Sequence, residues 1–322
     1  MSNIFKSKVI EINFPKGKID FSEGKIRYNK RIYSGTSVSF QKNIYDTLIY
    51  SHMKGYYSIQ FFLGSYISLK RSIINDNDIF NSNQYLKKNK FNIFTHLPYI
   101  HNLCGKSGYL ENENKDSLIH TNECKKSIIY ELNVISKVIK DTTTRGGCVL
   151  HIGSIGKNNI HLNKREEALN IVIKNINDIL NNIDEGNSYL ILETMVGNAG
   201  VIGNTFEELK FIYDKIDKKN RIGICIDTCH IFAEGLYRLN NKEDIDKMFN
   251  DYFLLFPKES LQLIHLNDSK YEFKCKKDRH ENLLRGNIWK KDTLYYFIDK
   301  LEELNIPYVL ETEEIDYDLL QN

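Results

Sequence analysis

Short apolar runs of β type alternate along this chain with longer stretches in which apolar residues recur every three or four positions. The runs are Tyr33–Ser39, Tyr57–Leu63, Asn92–Leu97, Gly147–Ile152, Tyr189–Glu193, Ile222–Ile226, Leu261–Leu266 and Tyr308–Glu311. They are short and rich in Val, Ile, Leu and Tyr, as strands buried on both faces are. Helical patterns lie near residues 40–53, 120–141, 164–182, 205–217, 243–254 and 292–304. In the third of these, Ala168, Ile171, Ile173, Ile176 and Ile179 leave an apolar stripe near the helical period. The stretch near Gly64–Lys90 reads as the loop after the second strand. Strands that alternate with helices predict parallel βαβ units. Eight of them predict an α/β fold closed into a (β/α)8 barrel over residues 32–322.

A barrel of this kind is a packed core whose site lies at the C-terminal ends of the strands. Six strands deliver a metal-binding side chain to that end: His96, His151, Glu193, Asp227, His265 and Glu311. Three more such residues follow in short motifs, His230 in Asp227-Thr228-Cys229-His230, and Asp278 and His280 in Asp278-Arg279-His280. Imidazole and carboxylate together suit zinc and its neighbours in the transition series. A lone His or Glu at a strand end is an ordinary hydrogen-bonded residue, but nine on one barrel face imply a metal centre. A multi-metal centre suits phosphoryl chemistry, because cations acidify water and neutralise phosphate oxygens. His52, His101, His120 and His161 fit no strand end and are expected on the surface or in loops.

The totals change this picture little. The 322 residues carry a net charge of only +2, so nucleic-acid binding must rest on local patches. One patch is the start of the chain. Residues 1–31 hold Lys6, Lys8, Lys16, Lys18, Lys25, Arg27, Lys30 and Arg31 against Glu11, Asp20 and Glu23, a net +5. They are expected to form a basic N-terminal extension ahead of the barrel domain. Two further patches are Lys70, Arg71, Lys87, Lys88 and Lys90, and Lys270, Lys274, Lys276, Lys277 and Arg279. Cys104, Cys124, Cys148, Cys225, Cys229 and Cys275 include no Cys-x-x-Cys pair, and no secretory signal is visible. A reduced, intracellular setting without disulfides is expected. No apolar run approaches the roughly 20 residues that span a bilayer.

The motifs resemble those of the endonuclease IV family of apurinic/apyrimidinic (AP) endonucleases. The matching segments run in family order: Thr95-His96-Leu97-Pro98-Tyr99, Leu150-His151-Ile152-Gly153-Ser154, Leu192-Glu193-Thr194, Ile226-Asp227-Thr228-Cys229-His230, His265-Leu266-Asn267-Asp268-Ser269-Lys270, Asp278-Arg279-His280 and Leu310-Glu311-Thr312. The resemblance implies a TIM barrel with three Zn2+ ions, one position of which also accepts Mn2+. His96 and His151 would hold one ion, and Glu193 would bridge it to a second held by Asp227, His265 and Glu311. His230, Asp278 and His280 would hold the third. The implied reaction is hydrolysis of the phosphodiester 5′ to an abasic site in double-stranded DNA, with Glu311 and Glu193 as the catalytic carboxylates. Tyr99 is the residue implied to enter the helix at the lesion, and Arg279 and Lys270 are candidates for phosphate contact.

The chain departs from the family at Ser37, where many members carry a His. A monomer acting in the cytoplasm or nucleus is expected, or in a virion or viral replication site if the source is a large DNA virus. The first competing reading is a metal-dependent sugar isomerase or epimerase on a similar barrel, which has no use for the His230, Asp278 and His280 triad. The second is a non-catalytic barrel, which lost ligands would mark.

Overall fold

The computed structural model describes residues 31–312 except Ser107, Leu162, Asn198 and Ala199, together with Tyr317 and Leu320. The basic extension, apart from Arg31, lies outside the described residues. Eight parallel strands close into a barrel: Ser34–Ser37, Ser58–Phe61, Asn92–His96, Gly146–Leu150, Tyr189–Glu193, Ile222–Asp227, Leu261–His265 and Tyr308–Leu310. Each pairs with its neighbours in chain order, and the first pairs with both the second and the last. This is the TIM barrel fold that the alternating pattern predicts.

Helices wrap the outside, and asparagine starts four of them. Asn43, Asn75, Asn114 and Asn241 each accept a hydrogen bond from the backbone N–H three residues on. Such a cap satisfies one of the free donors of the first turn. The helices expected from the pattern are present as Ile44–Met53, Lys115–Val138, Arg165–Asn181, Phe206–Asp214, Lys242–Leu255 and Lys291–Leu304.

The segment after the second strand is a correction. It is not all loop, because Asp76–Lys88 is a helix. Its inward face is polar, with Asp78, Ser82 and Asn83 buried beside Leu86. Asp78 accepts from the backbone N–H groups of Ile44 and Tyr45, each at 2.9 Å. Asn83 donates to the carbonyls of Val138 and Lys140. These bonds replace an apolar stripe, so periodicity of hydrophobicity could not reveal the helix.

The closed sheet divides the core in two. The large apolar cluster lies between strands and helices. A small one comprises Phe94, Val149, Ile191, Cys225, Leu263 and Val309, one residue from each of six strands. Side chains two apart share a face of a strand. Each of the six is followed, two positions on, by a candidate ligand: His96, His151, Glu193, Asp227, His265 and Glu311. The apolar layer is thus the floor on which the polar layer stands.

Candidate metal centre

The nine candidate ligands converge at that mouth in three groups. His96, His151 and Glu193 form the first, Glu193, Asp227, His265 and Glu311 the second, and His230, Asp278 and His280 the third. In each, the donor atoms lie within 4.8 Å of one another. Glu193 joins the first two. Its Oε2 is 3.3 Å from His96 Nε2 and 3.0 Å from His151 Nε2. Its Oε1 is 3.1 Å from His265 Nδ1. Asp278 stands between two rings, 3.2 Å from His230 Nε2 and 3.2 Å from His280 Nε2. Asp227 Oδ2 is 3.5 Å from His280 Nε2 and 3.8 Å from His265 Nδ1, which links the third group to the second.

Local structure aims these side chains. His230 sits on the short helix Thr228–Glu234, whose first turn the Asp227 carboxylate caps by accepting from His230 N. The ligand Asp227 therefore also fixes the segment that carries the ligand His230. Asp278 and His280 come from the excursion after the seventh strand, closed by the two-residue strands Asp268–Ser269 and His280–Glu281.

The donor set fits divalent cations. His96 Nδ1 lies 2.7 Å from the carbonyl of Leu97, and His230 Nδ1 lies 2.7 Å from that of Thr194. Those bonds place the ring proton on Nδ1 and leave Nε2 as a lone pair, an arrangement usual in histidine ligands. In both rings that lone pair faces a carboxylate oxygen, and His230 Nε2 is buried without a hydrogen-bond partner. Two electron-rich groups at this range need a cation between them.

Charge tells the same story. Burial raises the pKa of Asp227. Burial would raise Glu193 too, but the His151 and His265 imidazoles hold it well below the usual range. Burial would lower the rings, yet the carboxylates push His230 well above its ordinary value and His280 up to about 9, and Cys225 together with Glu311 and Glu193 raises His265. Without metal, protons gather where positive charge is wanted.

A model of the family described as the xylose isomerase-like TIM barrel matches residues 51–318. The "Probable endonuclease 4" of Staphylococcus aureus strain Newman is 30% identical over 291 residues, 88% of this chain and 88% of that protein. The chain belongs to the endonuclease IV family. The "Probable endonuclease 4" of Thermosipho africanus is 37% identical over 207 residues, 64% of this chain and 68% of that protein. The crystal structure of endonuclease IV from Thermus thermophilus has the same fold, with a TM-score of 0.72 at 18% identity over 90% of this chain and 97% of that one.

In this endonuclease IV relative several residues depart from what the sequence pattern suggests. His101 lies in a loop, as expected, but is buried there. Burial lowers its pKa to about 4, and its Nδ1 pairs with the carbonyl of Pro98 at 2.9 Å. His52 and His120 are on helices and partly buried, with His52 against Tyr85 and His120 Nε2 3.5 Å from Cys124 Sγ. Lys87 and Lys88 end the helix Asp76–Lys88 and Lys90 follows it, at the barrel end opposite the mouth. Arg71 is buried against Glu131. Of that patch only Lys70 is exposed near the mouth.

Tyr99 is half exposed there, its ring 5.2 Å from those of His96 and His151 and 6.1 Å from that of Tyr66. Lys270 and Arg279 are exposed neighbours on the excursion, with Lys270 N donating to the Arg279 carbonyl at 2.9 Å. Sequence reasoning missed Gln60 of the second strand and gave Asn267 no role. Both are buried against the ligands. An amide between Ile59 and Phe61 in the strand run Tyr57–Leu63 was the available signal.

Proposed function

We infer that this chain is an AP endonuclease. It hydrolyses the phosphodiester 5′ to an abasic site in double-stranded DNA and leaves a 3′-hydroxyl and a 5′-deoxyribose phosphate. The observation that carries this reading is the set of three linked donor groups at the barrel mouth of an endonuclease IV family member. A sugar isomerase on this barrel would leave His230, Asp278 and His280 without a task.

The three groups would hold three Zn2+ ions, with Mn2+ accepted at one. Bound zinc supplies Lewis acidity, which acidifies water and neutralises charge on phosphate oxygens. Glu193 and Glu311 orient the attacking water and take its proton. Asp227 and Asp278 add negative charge against the cations, and the five histidines add neutral donors. The Tyr99 ring stands at the rim, where it can fill the gap left by a missing base. An abasic nucleotide has no base to unstack, so it turns out of the helix at low cost.

Lys270 and Arg279 flank the mouth on one side. On the other, an open cleft of about 890 Å3 is lined by Lys70, Lys106, His120 and Lys126. Cations on both sides suit a duplex lying across the barrel, held by its phosphates without regard to sequence. All nine ligands come from one chain, which supports a monomer, and the substrate puts the enzyme in whatever compartment holds DNA.

The test is incision of a 5′-labelled duplex carrying one tetrahydrofuran abasic analogue, before and after chelation. The analogue cannot undergo β-elimination. Hydrolysis gives a cut 5′ to it with an extendable 3′-hydroxyl, lost when metal is stripped. An uncut duplex with zinc bound overturns the reading.

A further inference from the structure

The ring of strands delivers ligands from six of its members, and the first two deliver none. What those two strands contribute is an amide and a hydroxyl. Gln60 of the second strand is 1% exposed and reaches three groups. Its Oε1 lies 2.8 Å from His265 Nε2. Its Nε2 donates to Glu311 Oε1 at 2.9 Å and to Ser37 Oγ of the first strand at 3.1 Å.

The orientation of this amide follows from its neighbours. Turned over, it would set its oxygen against the Glu311 carboxylate and its NH2 against a ring that must then accept. As it stands, Glu311 takes an N–H and His265 must donate from Nε2. The His265 proton is thereby fixed on Nε2. Nδ1 is left as the lone pair, 3.1 Å from Glu193 Oε1 and 3.3 Å from Glu311 Oε2. Asn267 holds the other side of the same carboxylate. Its Nδ2 donates to Glu311 Oε2 at 3.0 Å and to Asp227 Oδ2 at 2.7 Å.

We propose that Gln60 is a positioning residue of the metal centre, selecting the ring nitrogen that His265 presents and fixing the plane of the Glu311 carboxylate. Ser37 anchors it as the second acceptor of its NH2, which gives a role to the position at which this chain departs from its family. The proposal rests on the reading of the nine residues as metal ligands. It adds an outer partner that orients two of them, and such partners commonly control affinity by about 10–100-fold.

The test compares the zinc-loaded wild type with Gln60→Leu and Gln60→Glu. Zinc affinity is read by competition with a chromogenic chelator, and the ring protons by 15N-resolved spectra of the histidines. In Gln60→Leu, zinc binds about 10–100-fold more weakly. The slowly exchanging His265 Nε2–H signal is lost, and kcat on abasic duplex falls while KM holds. Gln60→Glu keeps an acceptor for His265 and removes the donor to Glu311. It retains the ring signal and still lowers kcat, which covers the case of a Leu variant that fails to fold. Wild-type zinc affinity and an unchanged ring signal in Gln60→Leu, or wild-type kcat in Gln60→Glu, overturn the proposal. A wild type that binds zinc but leaves the abasic duplex whole would sink the proposed reaction, and the affinity comparison would still decide the role of Gln60.

Discussion

Arg71 and Glu131 meet at 3.1 Å inside the molecule, with side chains 3% and 0% exposed. The Arg71 guanidinium also donates to the carbonyls of Ser65, Ser68 and Leu69. It therefore ties the loop that follows the second strand to the helix Lys115–Val138. That loop bears Tyr66, whose carbonyl accepts from Tyr99 N at 3.0 Å. A buried ion pair outside the metal centre thus sets the position of the aromatic rim.

Breaking this pair has a pH signature. Burial raises the Glu131 carboxyl to about 7 even with Arg71 opposing it. A carboxyl raised in the folded state contributes stability at low pH that is lost as pH rises from its ordinary value through the folded one. Arg71→Met removes the opposing charge and widens that window upward. The variant is expected to be less stable than wild type by about 3–5 kcal/mol at pH 8. The gap should shrink toward pH 5, where Glu131 is neutral in both. Urea unfolding of metal-free wild type and variant at the two pH values measures it, and a gap independent of pH would refute the account.

Metal removal should itself depend on pH. In the metal-free chain the surrounding carboxylates push His230 well above 6.5 and His280 to about 9, and Cys225 with Glu311 and Glu193 pushes His265 well above 6.5. A ring raised in the folded state adds stability that is present below its unfolded value and is lost as pH rises through its folded one. The chelated protein is expected to lose thermal stability from about pH 6.5 upward, through pH 9 and beyond. The zinc-loaded protein should hold steady, because the metal replaces the departing protons. The difference in melting temperature with and without chelator should therefore grow with pH. A constant difference would mean that the imidazoles do not stand in for the metal.

Much of the site was legible because a strand has a period of two. Once Val149 and Leu263 are inward, His151 and His265 must be inward as well, and the same holds on four further strands. The third donor group was legible only as motifs, since His230, Asp278 and His280 lie on a short helix and an excursion that no periodicity positions. Helix Asp76–Lys88 stayed hidden because its buried face is Asp78, Ser82 and Asn83, which bond to backbone instead of packing by hydrophobicity. His101 lies in a loop as expected, but its burial was hidden for a related reason. A histidine next to a strand end reads as loop, and only the tertiary fold shows that burial keeps it neutral against Pro98. Gln60 was overlooked because an amide is neither a ligand nor an apolar residue.

Glu193 and Glu311 are both carboxylates of the second donor group, but their surroundings differ. Glu193 faces His96, His151 and His265 at 3.0–3.3 Å and belongs to two donor groups. Glu311 belongs to one and is steadied by two amides. Glu193→Gln is therefore expected to lose metal as well as activity. Glu311→Gln is expected to retain most metal and abasic-DNA binding while incision falls by at least about 1,000-fold, the scale of a lost transition-state interaction of about 4 kcal/mol. Metal content by atomic absorption, duplex binding by anisotropy and incision rate separate the two variants. Normal turnover in Glu311→Gln would remove that residue from the mechanism.

Salt should weaken the enzyme in proportion to the phosphates it holds. Lys70 and Lys270 are exposed after the second and seventh strands, which stand three places apart in the ring of eight, whereas Lys87 and Lys88 are at the far end of the barrel. Each phosphate contact contributes about 0.9 to the slope of log affinity against log salt. Lys70→Ala and Lys270→Ala should each flatten the slope by about that amount for duplexes of any sequence. The double variant Lys87→Ala, Lys88→Ala removes two positive charges and serves as the control for net charge alone. It should leave the slope unchanged, since a lysine beyond the Debye length of roughly 10 Å in 0.1 M salt is screened from the duplex. Equal flattening in the control would show that the duplex does not lie across the mouth between Lys70 and Lys270.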